Sequence, residues 1–461
     1  MKAVDVVIMA AGKGTRMHSS MPKVLQQLGD KALVQHVIDT AQALAARNTV
    51  VITGHGAETV EAALAGQHGL RFVRQMPQLG TGHALQQAAP VLPEDGITVV
   101  LSGDVPLTQS ETLQALIDAT QGERLALLTL EMPDPTGYGR IVRQANGSVQ
   151  AIVEHKDASD EQRRLREIYS GIMAVPTRLL LPWLQRLRND NAQQEYYLTD
   201  IVKFAVADGH TVVAQVLNDP VQVAGVNTPV QLAELERALQ QRRAHALMTQ
   251  GVRLRDPARF DVRGELTCER DVEIDVNCVF MGRVHVGEGV RIGANCVLSN
   301  VTLQAGAVLQ AFTCIEGGSE GVTVGPRATV GPFARLRPGA HLGAEVHVGN
   351  FVEIKNSTLA DGAKANHLAY LGDATVGERV NYGAGSITAN YDGANKHRTV
   401  IEADVHVGSN CVLVAPVTLG AGGTIAGGST ISKNTEPGAL TVARGKQVSI
   451  PNWKRPTKRK P

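Results

Sequence analysis

The hydrophobic positions of this chain change period once, near residue 264. Before that point, apolar β-branched runs occur at Val4–Ala11, Thr49–Thr53, Thr98–Ser102 and Leu125–Leu130. Helix-like stretches such as Leu33–Ala46 and Ser110–Ala119 lie between them. Strands apolar on both faces, separated by helical segments, predict a mostly parallel sheet covered on both sides, an α/β domain. Ligands of such sheets gather outside the carboxyl ends of the strands. Pro229–Thr249 reads as one long helix with an apolar stripe of Leu232, Leu235, Leu239, Ala246 and Leu247, stopped by Gly251. At 1.5 Å per residue it spans roughly 30 Å and predicts a rigid connector. The expected organisation is therefore 1–228, a linker helix at 229–250, and a second domain at 251–461.

In the second domain aliphatic–glycine pairs recur in steps of six: Val286-Gly287 and Ile292-Gly293, Val324-Gly325 and Val330-Gly331, Leu342-Gly343 and Val348-Gly349, then Val376-Gly377. Each hexad supplies a short strand and a turn, the aliphatic inward and glycine where a side chain is crowded. Three hexads make one triangular coil, so the period predicts a parallel β-solenoid. Cys278, Cys296 and Cys314 are spaced by 18 and 18, which stacks them on successive coils. Cys278, Cys296 and Cys411 each follow a repeat aliphatic by four, a place for a small inward residue. Packed small hydrophobes or a metal-binding ladder both fit that ladder. Two stretches break the grid: Lys364–Asp373 is polar, and Asn390–His397 is an insertion that must protrude as a loop.

Composition narrows the function. The chain has 461 residues, 43% of them hydrophobic and 3% aromatic, so small aliphatic side chains fill its cores. A formal charge of +1 argues against nucleic-acid binding. No run reaches the roughly 18 apolar residues of a membrane span, and no signal-peptide pattern precedes Val4. These features predict a cytosolic chain with no membrane insertion. Five cysteines without a Cys-x-x-Cys pair suggest neither a disulfide framework nor a zinc site. The tail Lys454–Pro461 is basic, either a solvated end or an arm that grazes an anionic ligand of a neighbouring copy.

The first apolar run ends in Met9-Ala10-Ala11-Gly12-Lys13-Gly14-Thr15-Arg16-Met17, with Pro22-Lys23 after it. Small residues let backbone N–H groups approach a phosphate closely, and Arg16 and Lys23 add positive charge. The spacing fits neither a dinucleotide fingerprint nor a Walker A loop. The string resembles the signature of the sugar-1-phosphate nucleotidyltransferases. That resemblance continues in Gln75 with Gln78-Leu79-Gly80-Thr81-Gly82, in Ser102-Gly103-Asp104, in Asp134–Arg140 with Gly139, in Glu154-His155-Lys156, and in Gly225-Val226-Asn227. It implies a Rossmann-like domain in which Met9, Ala10, Ala11, Gly12, Lys23, Gln75, Gly80, Thr81, Ser102, Gly103, Asp104, Gly139, Glu154, Tyr169 and Asn227 bind UTP or the UDP-sugar. It also implies Arg16 and Lys23 as catalytic cations and Asp104 with Asn227 as ligands of Mg²⁺, a hard ion that favours oxygen. Ser102 replaces a tyrosine often found there, and Tyr169 stands where an asparagine is expected.

The densest polar run of the solenoid holds Arg335, Arg337, Asn350, Glu353, Lys355, His367, Tyr370 and Asp373. This half resembles the hexapeptide acyltransferases, which fold as left-handed parallel β-helices and work as trimers with sites between subunits. Over nearly its whole length the chain resembles the bacterial bifunctional uridylyltransferase/acetyltransferases that make UDP-N-acetylglucosamine for cell-wall and lipopolysaccharide precursors. The resemblance implies His367 as general base, and Arg337, Lys355, Tyr370 and Asn381 as ligands of glucosamine 1-phosphate. It implies acetyl-CoA contacts at Ala384, Asn390, Tyr391, Ser409, Gly427 and Arg444, with Gly427 where alanine is common. An imidazole suits the chemistry, because the amine must be uncharged to attack a thioester. Glu353 is open between orienting His367 and pairing with Lys355. Three readings compete: both halves catalytic, a transferase on a trimerising scaffold, or a nucleotide-sugar sensor. His367, Lys355 and the Asn390 loop favour catalysis in the second half. Arg16, Lys23 and Asp104 favour it in the first.

Overall fold

The computed structural model describes residues 2–457. Lys458, Arg459, Lys460 and Pro461 of the basic tail lie outside the described residues. Two compact units divide between Leu239 and Gln240.

The first unit is built on a sheet in the order Val212–Val216, Leu125–Glu131, Glu167–Pro176, Ile97–Ser102, Val4–Ala10, Asn48–Thr53 and Leu70–Arg74. All neighbours are parallel except Glu167–Pro176, which runs antiparallel between Ile97–Ser102 and Leu125–Glu131. The expected strands are present, each within one residue of its expected ends. The antiparallel insert, and the hairpin Arg140–Arg143 with Val149–Val153, carry no separate signal in the apolar pattern. Residues of Val4–Ala10 alternate between the two cores. Val7 packs with Val50, Val100 and Leu127 on one side, while Val6 and Ile8 pack with Val51, Val99 and Leu101 on the other. That double burial is why the strands read as continuous apolar runs.

The helix Pro229–Thr249 matches the expected span. Its stripe differs from expectation, because Ala246 is exposed while Gln240, Ala244 and Leu247 turn inward. Steps of four and three keep those three on one face, and Ala246 falls off it. Gln240 is buried, donating from Nε2 to the Val262 carbonyl at 2.8 Å and accepting from the Val262 N–H at 2.8 Å. The side-chain amide thus acts as a strand partner where the solenoid begins.

In the second unit every coil pairs in parallel with the next. One inner ladder runs Ile274, Ile292, Leu309, Val330, Val348, Ala365, Tyr382, Val407 and Ile425, all buried. Cys278, Cys296 and Cys411 are buried in the small inward slots. Cys314 corrects the cysteine stack: it pairs with Val297, so Thr313 takes the inward slot after Cys296 and Cys314 is left half-buried. That coil is one residue shorter than the 18-residue count assumed. Lys364–Asp373 breaks the six-residue grid, since Ala365 pairs Val348 one residue short of three hexads. It does not break the solenoid, because Lys364–His367 and Tyr370–Gly372 are strands in register with His347–Asn350 and Glu353–Lys355. Asp373 is the one buried polar residue of this stretch, while Ala365, Ala369 and Leu371 fill the interior.

Asn390–His397 does leave the coil. The His397 N–H donates to the Asn390 carbonyl at 2.9 Å, and Tyr391 bridges Lys396. The corner of the solenoid just before it carries an unusual ridge. Phe312, Phe333, Phe351 and Leu368 follow one another on successive coils, each at positive φ and each exposed. The phenyl rings stack at 4.9 Å and 5.4 Å. Asn277, Asn295 and Asn410 hold the same left-handed corner in other coils, the residue type that tolerates it.

Candidate active sites

The polar residues of the first unit collect where parallel strands end. The loop after Val4–Ala10 holds Gly12, beside which a side chain would meet open space, so backbone N–H groups there are accessible. Gly14 has φ of 60°, and an added Cβ would lie 2.6 Å from the Lys23 Cβ. Glycine at that point therefore lets Lys23 fold back beneath the loop. Its ammonium bonds the Asp104 carboxylate and, at 3.1 Å, the Asn227 Oδ1. Arg16 Nη2 donates to the same Asn227 oxygen at 2.9 Å. Asp104 and Asn227 are tied together by the Val226 N–H, which donates to the Asp104 carbonyl at 2.9 Å. Four expected residues from three segments thus form one cluster.

Asp104 and Asn227 offer oxygen donors, and the Lys23 ammonium rests against both, so a cation already occupies the point where they converge. This donor chemistry fits a hard divalent ion that takes its remaining ligands from phosphate oxygens. Among the described residues no group of three or more His, Cys, Asp or Glu is arranged to hold a metal. The substrate would complete the shell.

A second group surrounds Glu154. Thr199 Oγ1 donates to its carboxylate at 2.9 Å, yet burial is the larger effect and pushes the Glu154 carboxyl above the ordinary range. A Cβ on Gly139 would lie 3.6 Å from that carboxylate, and the Gly139 carbonyl accepts the Tyr169 N–H at 2.9 Å. The Tyr169 hydroxyl is buried with no partner among the described residues, and burial raises its pKa well above the usual phenol value. Gly139, Glu154 and Tyr169 therefore meet. Ser102 lies near Gly171, whose Cβ would come within 3.7 Å of its Oγ. Gly80 has φ of 106°, and a Cβ there would strike the Tyr196 backbone at 2.7 Å. Thr81 Oγ1 accepts the Leu198 N–H at 3.2 Å. Gly103 N–H donates to the Met9 carbonyl at 2.9 Å, and Ala10 and Ala11 are buried beneath.

In the solenoid the expected residues fall into separate groups. His367 ends its strand opposite Asn350, whose Oδ1 lies 2.9 Å from the His367 Nδ1. A carboxamide oxygen only accepts, so Nδ1 carries the hydrogen and Nε2 keeps its lone pair. Asn350 was not singled out as functional in the sequence. Its signal is the register that puts it directly opposite His367.

At the other end of the next strand lie Lys355 and Gly372, in register. A Cβ on Gly372 would lie 2.3 Å from the Tyr370 hydroxyl and 2.7 Å from the Asn390 Nδ2, so those groups close over the glycine. Asp373, buried, accepts from both Asn356 and Asn390 and so anchors the hairpin. The hairpin brings Lys396 to Lys355, and that neighbouring ammonium lowers the Lys355 pKa. Like charges side by side suit an anion. Glu353 takes neither role considered for it, bonding Arg337 at 2.8 Å with Arg335 at 3.6 Å.

Asn381 sits on a different face, beside His406 at 3.4 Å. Further along, Arg444 Nη1 donates to the Gly427 carbonyl at 2.8 Å, and the Ser409 carbonyl accepts the Gly428 N–H at 2.8 Å. A Cβ on Gly427 would come no closer than 3.4 Å to Ser409, so alanine fits there equally well. The Ala384 carbonyl accepts the Asn410 N–H at 2.8 Å, and Tyr391 is exposed at the hairpin.

Residues 6–254 match the family model of the MobA-like NTP transferase domain. Among curated relatives, bifunctional protein GlmU of Polaromonas naphthalenivorans is 72% identical, covering 99% of this chain and 98% of the relative. Bifunctional protein GlmU of Acidovorax sp. (strain JS42) is 68% identical, covering 99% of each. That of Azoarcus sp. (strain BH72) is 56% identical, covering 99% of this chain and all of the relative.

Proposed function

The chain belongs to the bifunctional GlmU family, and from that premise we propose that it makes UDP-N-acetylglucosamine in two steps. The second unit transfers the acetyl group of acetyl-CoA to glucosamine 1-phosphate. The first then transfers a uridylyl group from UTP to N-acetylglucosamine 1-phosphate and releases pyrophosphate. The transferase comprises 1–228, the linker 229–250, and the acetyltransferase 251–461. All four substrates are charged metabolites of the cytoplasm, so the enzyme works there. No helix among the described residues is long and apolar enough to cross a membrane.

One observation carries this reading: the chain holds two unlike polar centres. A cation-and-oxygen cluster forms around Lys23, Asp104 and Asn227, and an imidazole has one nitrogen already committed to Asn350.

In uridylyl transfer a sugar-phosphate oxygen attacks the α-phosphorus and pyrophosphate leaves. Such a step needs alignment and charge neutralisation, not a protein nucleophile. The backbone at Ala10–Gly12 cradles the phosphates, and Arg16 and Lys23 neutralise them. Asp104 and Asn227 would hold Mg²⁺, which would supply further neutralisation of phosphate charge. Lys23 must release those two oxygens to do both jobs, and the incoming triphosphate supplies its new partner. Gly139, Glu154 and Tyr169 face the sugar.

In acetyl transfer Arg337, Lys355 and Tyr370 bind the phosphate and hydroxyls of glucosamine 1-phosphate and Asn381 orients the sugar, while Ala384, Asn390, Tyr391, Ser409, Gly427 and Arg444 bind acetyl-CoA. His367 Nε2 accepts a proton from the amine as the C–N bond forms, and that proton goes to the sulfur as the C–S bond breaks.

The ridge of Phe312, Phe333, Phe351 and Leu368 supports a homotrimer. Aromatics at left-handed corners are strained, and strained, exposed apolar side chains mark a surface that is covered in use. Phe351 follows Asn350 and Leu368 follows His367, so a second copy on this ridge encloses the imidazole.

Two assays test the reading. Glucosamine 1-phosphate with acetyl-CoA should yield free thiol. N-acetylglucosamine 1-phosphate with UTP and Mg²⁺ should yield pyrophosphate. Without thiol the solenoid is reduced to a scaffold, and without pyrophosphate the transferase reading falls.

A further inference from the structure

Residues 191–199 stand between two loops of the first unit and are bonded to both. Tyr196 and Leu198 serve the loop at 79–82 through the backbone. The Tyr196 N–H donates to the Leu79 carbonyl at 2.8 Å, and the Tyr196 carbonyl accepts the Gly82 N–H at 2.7 Å. The Leu198 N–H donates to Thr81 Oγ1 at 3.2 Å. Tyr197 and Thr199 serve the loop at 154–157 through their side chains. Thr199 Oγ1 donates to the Glu154 carboxylate at 2.9 Å, and the Tyr197 hydroxyl donates to Asp157 Oδ2 at 3.1 Å. Tyr197 is extended, with φ of −79° and ψ of 120°, so neighbouring residues face opposite ways and one short run reaches both loops.

The start of this segment is a closed turn. Asn191 Oδ1 accepts the N–H groups of Gln193 and Glu195, each at 3.2 Å, and Asn191 Nδ2 donates to the Glu195 carbonyl at 2.6 Å. Asp157 grips the same turn, because its Oδ1 accepts the Ala192 N–H at 3.0 Å. Gln193 Nε2 donates to the Tyr197 hydroxyl at 2.9 Å. A turn tied to itself in this way moves as one piece, so a shift at Tyr196 is carried to Asp157. Leu198 is sealed in the core and anchors the run. A polar cavity of about 260 Å³ adjoins the Asp157–Tyr197 pair, lined also by Glu154, Asn191, Thr199 and Asp200. Hydrogen bonds rather than packed neighbours therefore set that pair, and the cavity leaves it room for a second position.

We propose that Tyr197, held by Asp157, is a positioning residue that couples the two substrates of the first unit. A nucleotide resting on Gly80 and Thr81 fixes Tyr196 and Leu198. The same run then fixes Glu154 through Thr199, and Asp157 through Tyr197, so the loop that faces the sugar is set before the sugar arrives. A sugar phosphate bound first works along the same bonds in the opposite direction. Each substrate raises the affinity for the other, and by linkage the two factors are equal. This inference rests on the uridylyltransferase reading and adds to it the segment through which one substrate site answers the other.

The experiment is calorimetry on the full-length chain with Mg²⁺. It measures Kd for N-acetylglucosamine 1-phosphate with and without saturating α,β-methylene-UTP, from which no pyrophosphate can leave. It then measures Kd for the analogue with and without the sugar phosphate. In the native chain each ligand should tighten the other about tenfold. Tyr197→Phe keeps the buried ring and loses the hydroxyl. It should cut that factor to about twofold to threefold while the Kd of each ligand alone stays within about twofold. Asp157→Ala, at an exposed position, should do the same. Asp157→Asn should keep the native factor, because its amide oxygen still accepts from Ala192 and its N–H bonds the Tyr197 oxygen. A merely structural role would change the separate affinities and leave their coupling as it was. A native factor of one overturns the inference, and so does a full factor in either Tyr197→Phe or Asp157→Ala. In both cases the uridylyltransferase reading stands. A native chain that binds neither ligand and releases no pyrophosphate from UTP removes that reading, and the inference with it.

Discussion

Asn350 Oδ1 accepts a hydrogen bond from His367 Nδ1 across two adjacent coils, at 2.9 Å. The asparagine fixes the tautomer that leaves Nε2 free as a base. Asn350→Ala should therefore lower kcat for thiol release by about tenfold to a hundredfold, with little change in KM. A variant with normal kcat would show that the pair is only structural.

The two centres should fail independently. His367→Ala should abolish thiol release and spare pyrophosphate production, and Asp104→Ala should do the reverse. Chelating divalent ions should behave like Asp104→Ala. Loss of both activities in either variant would contradict the assignment.

Gly372 is required by a close approach. A Cβ there overlaps the Tyr370 hydroxyl, the movable end of a side chain, so the fold should survive Gly372→Ala. The displaced hydroxyl should raise KM for glucosamine 1-phosphate several-fold while thermal stability changes by no more than about 1 kcal/mol.

The phenylalanine ridge makes a prediction about size. Phe351→Asp puts a charge on the proposed contact while leaving the coil interior untouched. The variant should sediment as a monomer, lose thiol release and keep pyrophosphate release. A Phe351→Asp trimer with full acetyltransferase activity would rule out this ridge as the contact between copies.

Glu154 gives a pH dependence with a definite sign. Its carboxyl is raised by burial, so the folded chain binds its proton more tightly than the unfolded chain does. Stability from this group is present below the ordinary carboxylate pKa and is lost as pH rises through the raised value. Glu154→Gln still accepts from Thr199 and carries no charge. It should raise the unfolding midpoint of the ligand-free chain at neutral pH by a few degrees and flatten its decline above the ordinary carboxylate range.

Much of this architecture was legible because two of its rules are local. Apolar runs buried on both faces, as at Val4–Ala10, announce a central parallel strand, and the six-residue pairs announce coils. The insertion of Glu167–Pro176 against the grain was not legible, since a buried strand reads the same in either direction. Cys314 slipped off its ladder because one shortened coil moves every later residue by one step. Ala246 was misplaced because a small residue looks apolar on either side of a helix. At the sites, the motif residues around Lys23 converge as their clustering at strand ends implied. Asn350 stood in the polar run without a role for another reason: it acts through the orientation of His367, which register and hydrogen-bond direction reveal and composition does not.

The hairpin Asn390–His397 has a meaning for how such a protein changes over time. Pairing steps from Leu359 to Val376 and then from Val376 to Ile401, so the ladder closes in register across the extra residues. Each coil answers only to the coils beside it. The hairpin is thus a pendant whose length and sequence the scaffold does not read, provided Asp373 still clasps its base through Asn390. Substituting that pendant is a route by which the same stack of coils could acquire a different acyl donor or acceptor while its hydrophobic interior stays as it is.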